Sequence, residues 1–367
     1  GRGMTLSFYI ARRFLWMFLR IFFAFFGIMM LIDMLEQLRR FSGQDIGLSQ
    51  AAVLSLLNVP ESLFRVLPLI MILAAIALFV ALARSSELVV VRAAGRSGLR
   101  FLLAPVSVSV LIGALAVAVF NPLVAATSKE YDALYASYAK GRERVLSVSN
   151  EGLWLRQGGD GSQTVIHAAR ANADGTELFD ATFLSFSETG LPRERIAAET
   201  ARLIPGAWEL TGAKRWRLDS VNPEAAAQAE AVASLPSDLT RAAIRDSFGS
   251  PSAIPVWELP RYIKGLERAG FSARNHQVWL QMQLALPLLL TAMVLVAGGF
   301  TMRHVRSGRT GMMVLFAILG GFAIFFLRNF AQVLGENGQI PVIMAAWAPP
   351  LAATLLAIGL LLHVEDG

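Results

Sequence analysis

The stretch Arg84-Ser85-Ser86-Glu87-Leu88-Val89-Val90-Val91-Arg92-Ala93-Ala94-Gly95, followed by Arg96 and Arg100, decides how the rest of the chain is read. It carries the punctuation of a short helix. Ser85 or Ser86 can cap its N-terminus, Glu87 falls in the first turn where the helix dipole favours an anion, and Gly95 can end it. Residues 88–91 between those marks are too few to cross a bilayer, whose hydrocarbon core needs about 20 apolar residues. Long hydrophobic segments flank the stretch on both sides. The sequence therefore predicts a polar-ended helix pinned between two membrane spans at one membrane face, where a partner in the adjacent aqueous compartment can grip it.

Composition agrees with that setting. Of 367 residues, 55% are hydrophobic and 16% charged, against about a quarter charged in soluble domains, so this is a membrane protein. The net charge of +6 matters through where the arginines fall. The absence of cysteine excludes disulfides and thiolate metal sites. Gly1-Arg2-Gly3 ahead of Met4 reads as an expression remnant and is set aside.

Spans are expected at residues 14–35, 63–83, 101–120, 278–300, 312–330 and 342–362. Arg12 and Arg13 precede the first span, which by the positive-inside rule places the N-terminus in the cytoplasm. The quoted stretch is then cytoplasmic, as is a second basic loop with Arg303, His304, Arg306 and Arg309, while the turn Gly335-Glu336-Asn337-Gly338 lies outside. Residues 37–61 read as a polar outer connector and Asn121-Pro122 as the exit of the third span. Beyond it, residues through 138 read as a helical continuation.

Short β-like runs follow at 152–156, 164–168, 178–186, 196–204 and 214–218, separated by glycine-bearing turns, which suggests a sandwich or jelly-roll. The alanine-rich residues 222–234 read as a loop. Residues 256–269 read as an amphipathic helix with Trp257, Tyr262 and Leu266 on its apolar side. The expected fold is an α-helical membrane protein of six transmembrane helices (3 + 3) with an inserted all-β, jellyroll-like domain on the outer side. Its parts are residues 4–125 with the short helix at 85–95, residues 126–275, and residues 276–367.

No catalytic constellation is visible. His167, His276, His304 and His363 fall in four regions without metal-ligand spacing, and no Gly-Lys-Ser/Thr phosphate loop occurs. Any ATP-driven work must come from a partner that holds the nucleotide and its Mg; no cofactor, metal or nucleic acid is expected on this chain.

Ser86-Glu87-Leu88 and the following Val89-Val90-Val91-Arg92-Ala93-Ala94-Gly95 resemble the cytoplasmic coupling segment of the LptF/LptG lipopolysaccharide-export permeases. The likeness extends to Asp33-Met34-Leu35-Glu36-Gln37-Leu38-Arg39-Arg40, Asn58-Val59-Pro60, Asn150-Glu151-Gly152-Leu153-Trp154 and Tyr262-Ile263-Lys264. The Glu-Gln-Leu-Arg-Arg and Gly-Leu-Trp elements look more like the LptG branch than the LptF branch. The resemblance implies a bacterial inner-membrane permease half with a periplasmic jellyroll. It further implies a heterodimer with an LptF-type sister, two LptB-type ATPases inside, one of them docked on the coupling segment of this chain, and an LptC-type anchor passing lipopolysaccharide to a periplasmic bridge.

On this basis Glu87, Leu88, Arg92 and Gly95 are the candidate ATPase-coupling residues; the plainer reading of Glu87 is a solvated charge at a helix start. Glu36, Arg39, Arg40 and Arg328 are the candidate lipid-binding or lateral-gate residues. For the arginines, guanidinium groups suit lipid phosphates, and the plainer reading is snorkelling to headgroups at a membrane exit. Asp33 does not favour an anionic substrate and is expected to pair with Arg40 or a partner subunit. Phe322, Phe325, Phe326 and Phe330 recur at helical spacing, as helix packing or as a wall of an acyl-chain cavity. A sister LptF-type permease and a non-transporting envelope scaffold are the alternatives.

Overall fold

A computed structural model describes residues 2–93, 97–139, 146–159, 162–302 and 310–366. Contacts divide the chain into two units, one of residues 1–138, 252–257 and 274–367, the other of residues 139–251 and 258–273.

The first unit is helical, and six of its helices are long and apolar enough to cross a membrane. Helix α1 (Arg2–Arg40) is one uninterrupted rod of 39 residues, about 58 Å long at 1.5 Å per residue. Helix α2 (Leu48–Arg65) occupies much of what reads in sequence as a connector. Its Ala51, Leu54, Val59, Leu63 and Phe64 are buried, and this stripe packs the helix back along α1. Interspersed Ser, Gln, Asn and Glu dilute the hydropathy, which is why a polar connector is expected there. Pro68 stands in the first turn of α3 (Leu67–Arg84), where a missing N–H costs nothing.

After α4 (Glu87–Ala93), α5 (Gly98–Leu115) opens with Ser97, whose side chain accepts the Arg100 N–H. The helix of the third span runs on past Asn121-Pro122, as the sequence leads one to expect. A π turn at Ala116–Phe120 carries it into α6 (Asn121–Ala139), because proline at 122 can neither bond nor clear the carbonyl of residue 118 in a regular helix. That carbonyl instead accepts the Trp257 indole N–H at 3.1 Å. Asn121 is buried, donates to Gln283 at 3.3 Å and accepts the Val256 N–H at 2.8 Å.

Helices α9 (Arg274–Thr301), α10 (Thr310–Glu336) and α11 (Val342–Asp366) complete the unit. Its core runs between α3 and α9 through Ile70, Met71, Leu78, Phe79, Leu289, Leu290 and Met293. Of the apolar windows, those of α3 and α9 are 61% and 67% buried, those of α10 and α1 only 17% and 6%. Spans one and five are thus the least embraced by their own chain.

The second unit carries a seven-stranded antiparallel sheet in strictly sequential order, β1 (Leu146–Ser149), β2 (Gly152–Gly159), β3 (Ser162–Ala171), β4 (Glu177–Phe186), β5 (Pro192–Ile204), β6 (Ala207–Arg217) and β7 (Gln228–Pro236). This is a meander rather than the Greek-key crossovers of a jelly-roll. Alternate residues Leu153, Leu155, Ile166, Ala168, Phe183, Ile196, Trp208 and Leu210 are buried. Trp208 donates its indole N–H to Gln157 at 3.0 Å.

Strand β7 takes the second half of the expected loop, while residues 222–227 remain a bend and turn. Alanine has little β propensity, but the ladder from Ala207↔Pro236 to Arg215↔Gln228 pairs the inward-facing backbone groups of this edge strand, so pairing overrides composition. The short helix α7 (Arg241–Ser247) precedes α8 (Leu259–Arg268), whose buried side is Leu259, Ile263 and Leu266. Trp257 lies outside α8 and is 71% exposed, so it is not part of that apolar side.

Candidate functional site

The stretch 84–95 begins where α3 stops. Ser85 belongs to the end of α3, with its N–H on the Ala81 carbonyl and its hydroxyl donating to the Leu82 carbonyl at 3.3 Å. Ser86 then takes φ +58, a left-handed conformation that favours glycine. Its carbonyl accepts the N–H groups of Val89 and Val90 at 3.1 and 3.3 Å. The joint is therefore a backbone turn rather than the side-chain cap expected. Ser86→Gly should preserve it, whereas Ser86→Val should strain it by about 1–2 kcal/mol, readable as a lower melting temperature of the purified protein.

Helix α4 has only seven residues, too few to be stable alone. Two anchors hold its first turn. Leu88 is 3% exposed and belongs to the same core cluster as Ile10 and Phe14. Glu87 accepts from Arg13 Nη1 through both carboxylate oxygens, at 3.2 and 3.3 Å, and the same nitrogen reaches Tyr9 Oη at 3.3 Å. Val89 and Val90 face outward, 54% and 68% exposed. Apolar residues 88–90 thus divide their roles, Leu88 fastening the helix and Val89 and Val90 remaining free for another surface. The Arg92 side chain and Gly95 lie outside the described residues, as do Arg96 and the basic loop at 303–309.

The second cluster sits at the other end of α1. Glu36 bridges Arg39 Nη2 and Arg40 Nε, each at 3.1 Å, with the Arg39 and Arg40 side chains 80% and 49% exposed. One carboxylate shared by two guanidinium groups leaves most of their donors unused. Asp33 does not pair with Arg40. It accepts the Asn58 amide at 2.8 Å and the Gln37 amide at 3.5 Å, while Gln37, buried, also donates to Tyr131 Oη at 2.9 Å. Phe41 packs edge-on to Tyr135, 5.3 Å between centroids. The end of α1 is thereby held to α2 and α6 by amides and rings, which spares Arg39 and Arg40.

Arg328 is not brought to that cluster. It is 8% exposed, on the buried face of α10 with Ala317, Gly321, Ala331 and Gly335, where Gly321 sits against Ile72 and Gly335 against Ala345 and Val278. No hydrogen bond or ion pair of Arg328 is found among the described residues. Phe322, Phe326 and Phe330 take the opposite, exposed side, with Phe322 and Phe326 stacked at 6.3 Å.

Sequence reading missed Arg13, Asn58 and Tyr131 as parts of these clusters. Arg13 is visible in sequence only as a topology signal, and Asn58 only as part of the Asn-Val-Pro motif.

Comparison with known proteins gives the family. The family described as lipopolysaccharide export system permease LptF/LptG matches residues 8–363. The lipopolysaccharide export system permease protein LptG of Escherichia coli (strain K12) is 26% identical over 344 residues, covering 92% of this chain and 91% of the relative. That of Haemophilus influenzae is 23% identical over 376 residues, covering 99% of each.

Proposed function

Because the chain belongs to the LptF/LptG family of lipopolysaccharide export system permeases, we propose that it is the LptG-type half of an ATP-driven extractor in the bacterial inner membrane. The observation that carries this reading is a family match spanning both helical halves and the β insertion, together with relatives named LptG matched over nearly their whole length. In this reading α4 and the N-terminus face the cytoplasm and the sheet faces the periplasm. ATP and Mg are held by two LptB-type subunits, Glu87 and the outward Val89 and Val90 meet one of them, and an LptF-type permease completes the membrane part. An LptC-type anchor and a periplasmic bridge receive the lipid. The chain itself holds no cofactor.

The exposed Arg39 and Arg40 present guanidinium donors to the lipid A phosphates, with Glu36 limiting their net attraction so that the lipid can leave. An unbalanced guanidinium inside a membrane span is costly, so Arg328 needs a counter-charge that the described residues do not provide. Transport then needs lipid contacts that differ between two states.

Reconstitution of the complex purified from membranes tests this. ATP-dependent release of lipopolysaccharide from proteoliposomes is expected, and intact assembly without release would favour a scaffold instead. Photo-reactive residues at positions 36, 39 and 40 should capture lipopolysaccharide, with capture from position 36 falling several-fold in Arg39→Ala/Arg40→Ala. Absence of any adduct would restrict these arginines to headgroup snorkelling.

A further inference from the structure

Helix α4 follows α3 in the chain through the Ser85-Ser86 turn, yet its first charged residue is bonded to a helix 74 residues earlier. Arg13 is the one ion-pair partner of Glu87 among the described residues. The bond is built rather than incidental. A single nitrogen of Arg13 spans both oxygens of Glu87 and is steadied by Tyr9 one turn back, and the two side chains are only 27% and 38% exposed. Because Arg13 approaches with one nitrogen, Glu87 keeps lone pairs for a further donor.

The helix at the other end of this bond is the one least held by its own chain, with 6% of its apolar window buried. It is also unbroken from Arg2 to Arg40 and contains no proline. A displacement applied near Arg13 is carried along this rod to Glu36, Arg39 and Arg40, about 35–40 Å away at 1.5 Å per residue. The covalent route from α4 passes first into α3, which is 61% buried in its window.

We propose that Arg13 is a positioning residue that yokes α4 to α1, so that movement of the coupling helix is delivered to the lipid-facing end of α1 through the Arg13–Glu87 bond. This rests on the reading above, in which α4 receives the ATPase. Arg13 stays bonded to Glu87 while the ATPase engages the remaining face of the carboxylate and the exposed Val89 and Val90.

The experiment uses the complete transporter in proteoliposomes and reads lipopolysaccharide released per ATP hydrolysed, alongside the ATPase recovered with the complex. Arg13→Gln should lower the ratio roughly two- to fivefold, the range over which a partly exposed ion pair biases an equilibrium, with ATPase recovery unchanged. Arg13→Lys should restore most of it. Tyr9→Phe, which removes one hydrogen bond and little volume, should give a smaller fall and serves if Arg13→Gln yields no folded complex. An unchanged ratio in Arg13→Gln, or a fall matched by loss of the ATPase from the complex, overturns the proposal. Absence of ATP-dependent release by the unmodified complex would instead remove the functional reading beneath it.

Discussion

Glu87→Lys should reduce lipopolysaccharide export by more than roughly tenfold, because it reverses two favourable electrostatic effects at once, together worth about 2 kcal/mol. The carboxylate sits in the first turn of α4, where a cation opposes the helix dipole, and it faces Arg13 at 3.2 Å, which a lysine would repel. A helix of seven residues has no internal cooperativity to absorb the loss. Leu88, buried in the core, would keep α4 near the membrane bundle, so the defect should lie in the orientation of the helix and in ATPase engagement. Glu87→Gln retains an acceptor and should be milder. Export and ATPase co-purification measured together check this, and normal values of both in Glu87→Lys would refute a coupling role for the residue.

The largest effect on stability is expected from Gly113→Val. In an exposed helix, replacing glycine usually helps by about 1 kcal/mol. Here the sign reverses, because a Cβ on Gly113 would lie 2.6 Å from the Pro287 Cα, so α5 and α9 touch backbone to backbone. Ser109 and Thr291, one turn away, share a hydrogen bond at 3.3 Å that ties the same two helices together. Forcing the spans apart should cost about 3 kcal/mol and lower both the yield of folded protein and its melting temperature in detergent. Gly359→Ala, with nothing within 4 Å of the added carbon, is the control. A Gly113→Val protein melting with the unmodified one would show that the crossing is looser than this geometry.

What sequence alone determined about this protein are features whose cause is local. Six spans follow from runs of apolar residues, five strands from alternation between turn residues, and the short helix of 87–93 from an acidic start and its place between two spans. The Glu36–Arg40 pair was legible for the same reason, since i,i+4 spacing on a helix brings side chains together whatever surrounds them.

Tertiary structure alone decided the features that depend on distant neighbours. Helix α2 is diluted in hydropathy and becomes a packing element only because α1 lies along it. Strand β7 is alanine-rich and exists because β6 offers a ladder. Asp33 has Arg40 two turns on as its expected partner within the chain, and it is Asn58, 25 residues away, that bonds it instead. The same holds for Glu87: its position in the first turn was readable, whereas its bond to Arg13 and the burial of Leu88 beside it were not. A helix start is set by the few residues around it. Which charge it meets is set by how the spans pack, and that depends on burial summed over the whole bundle.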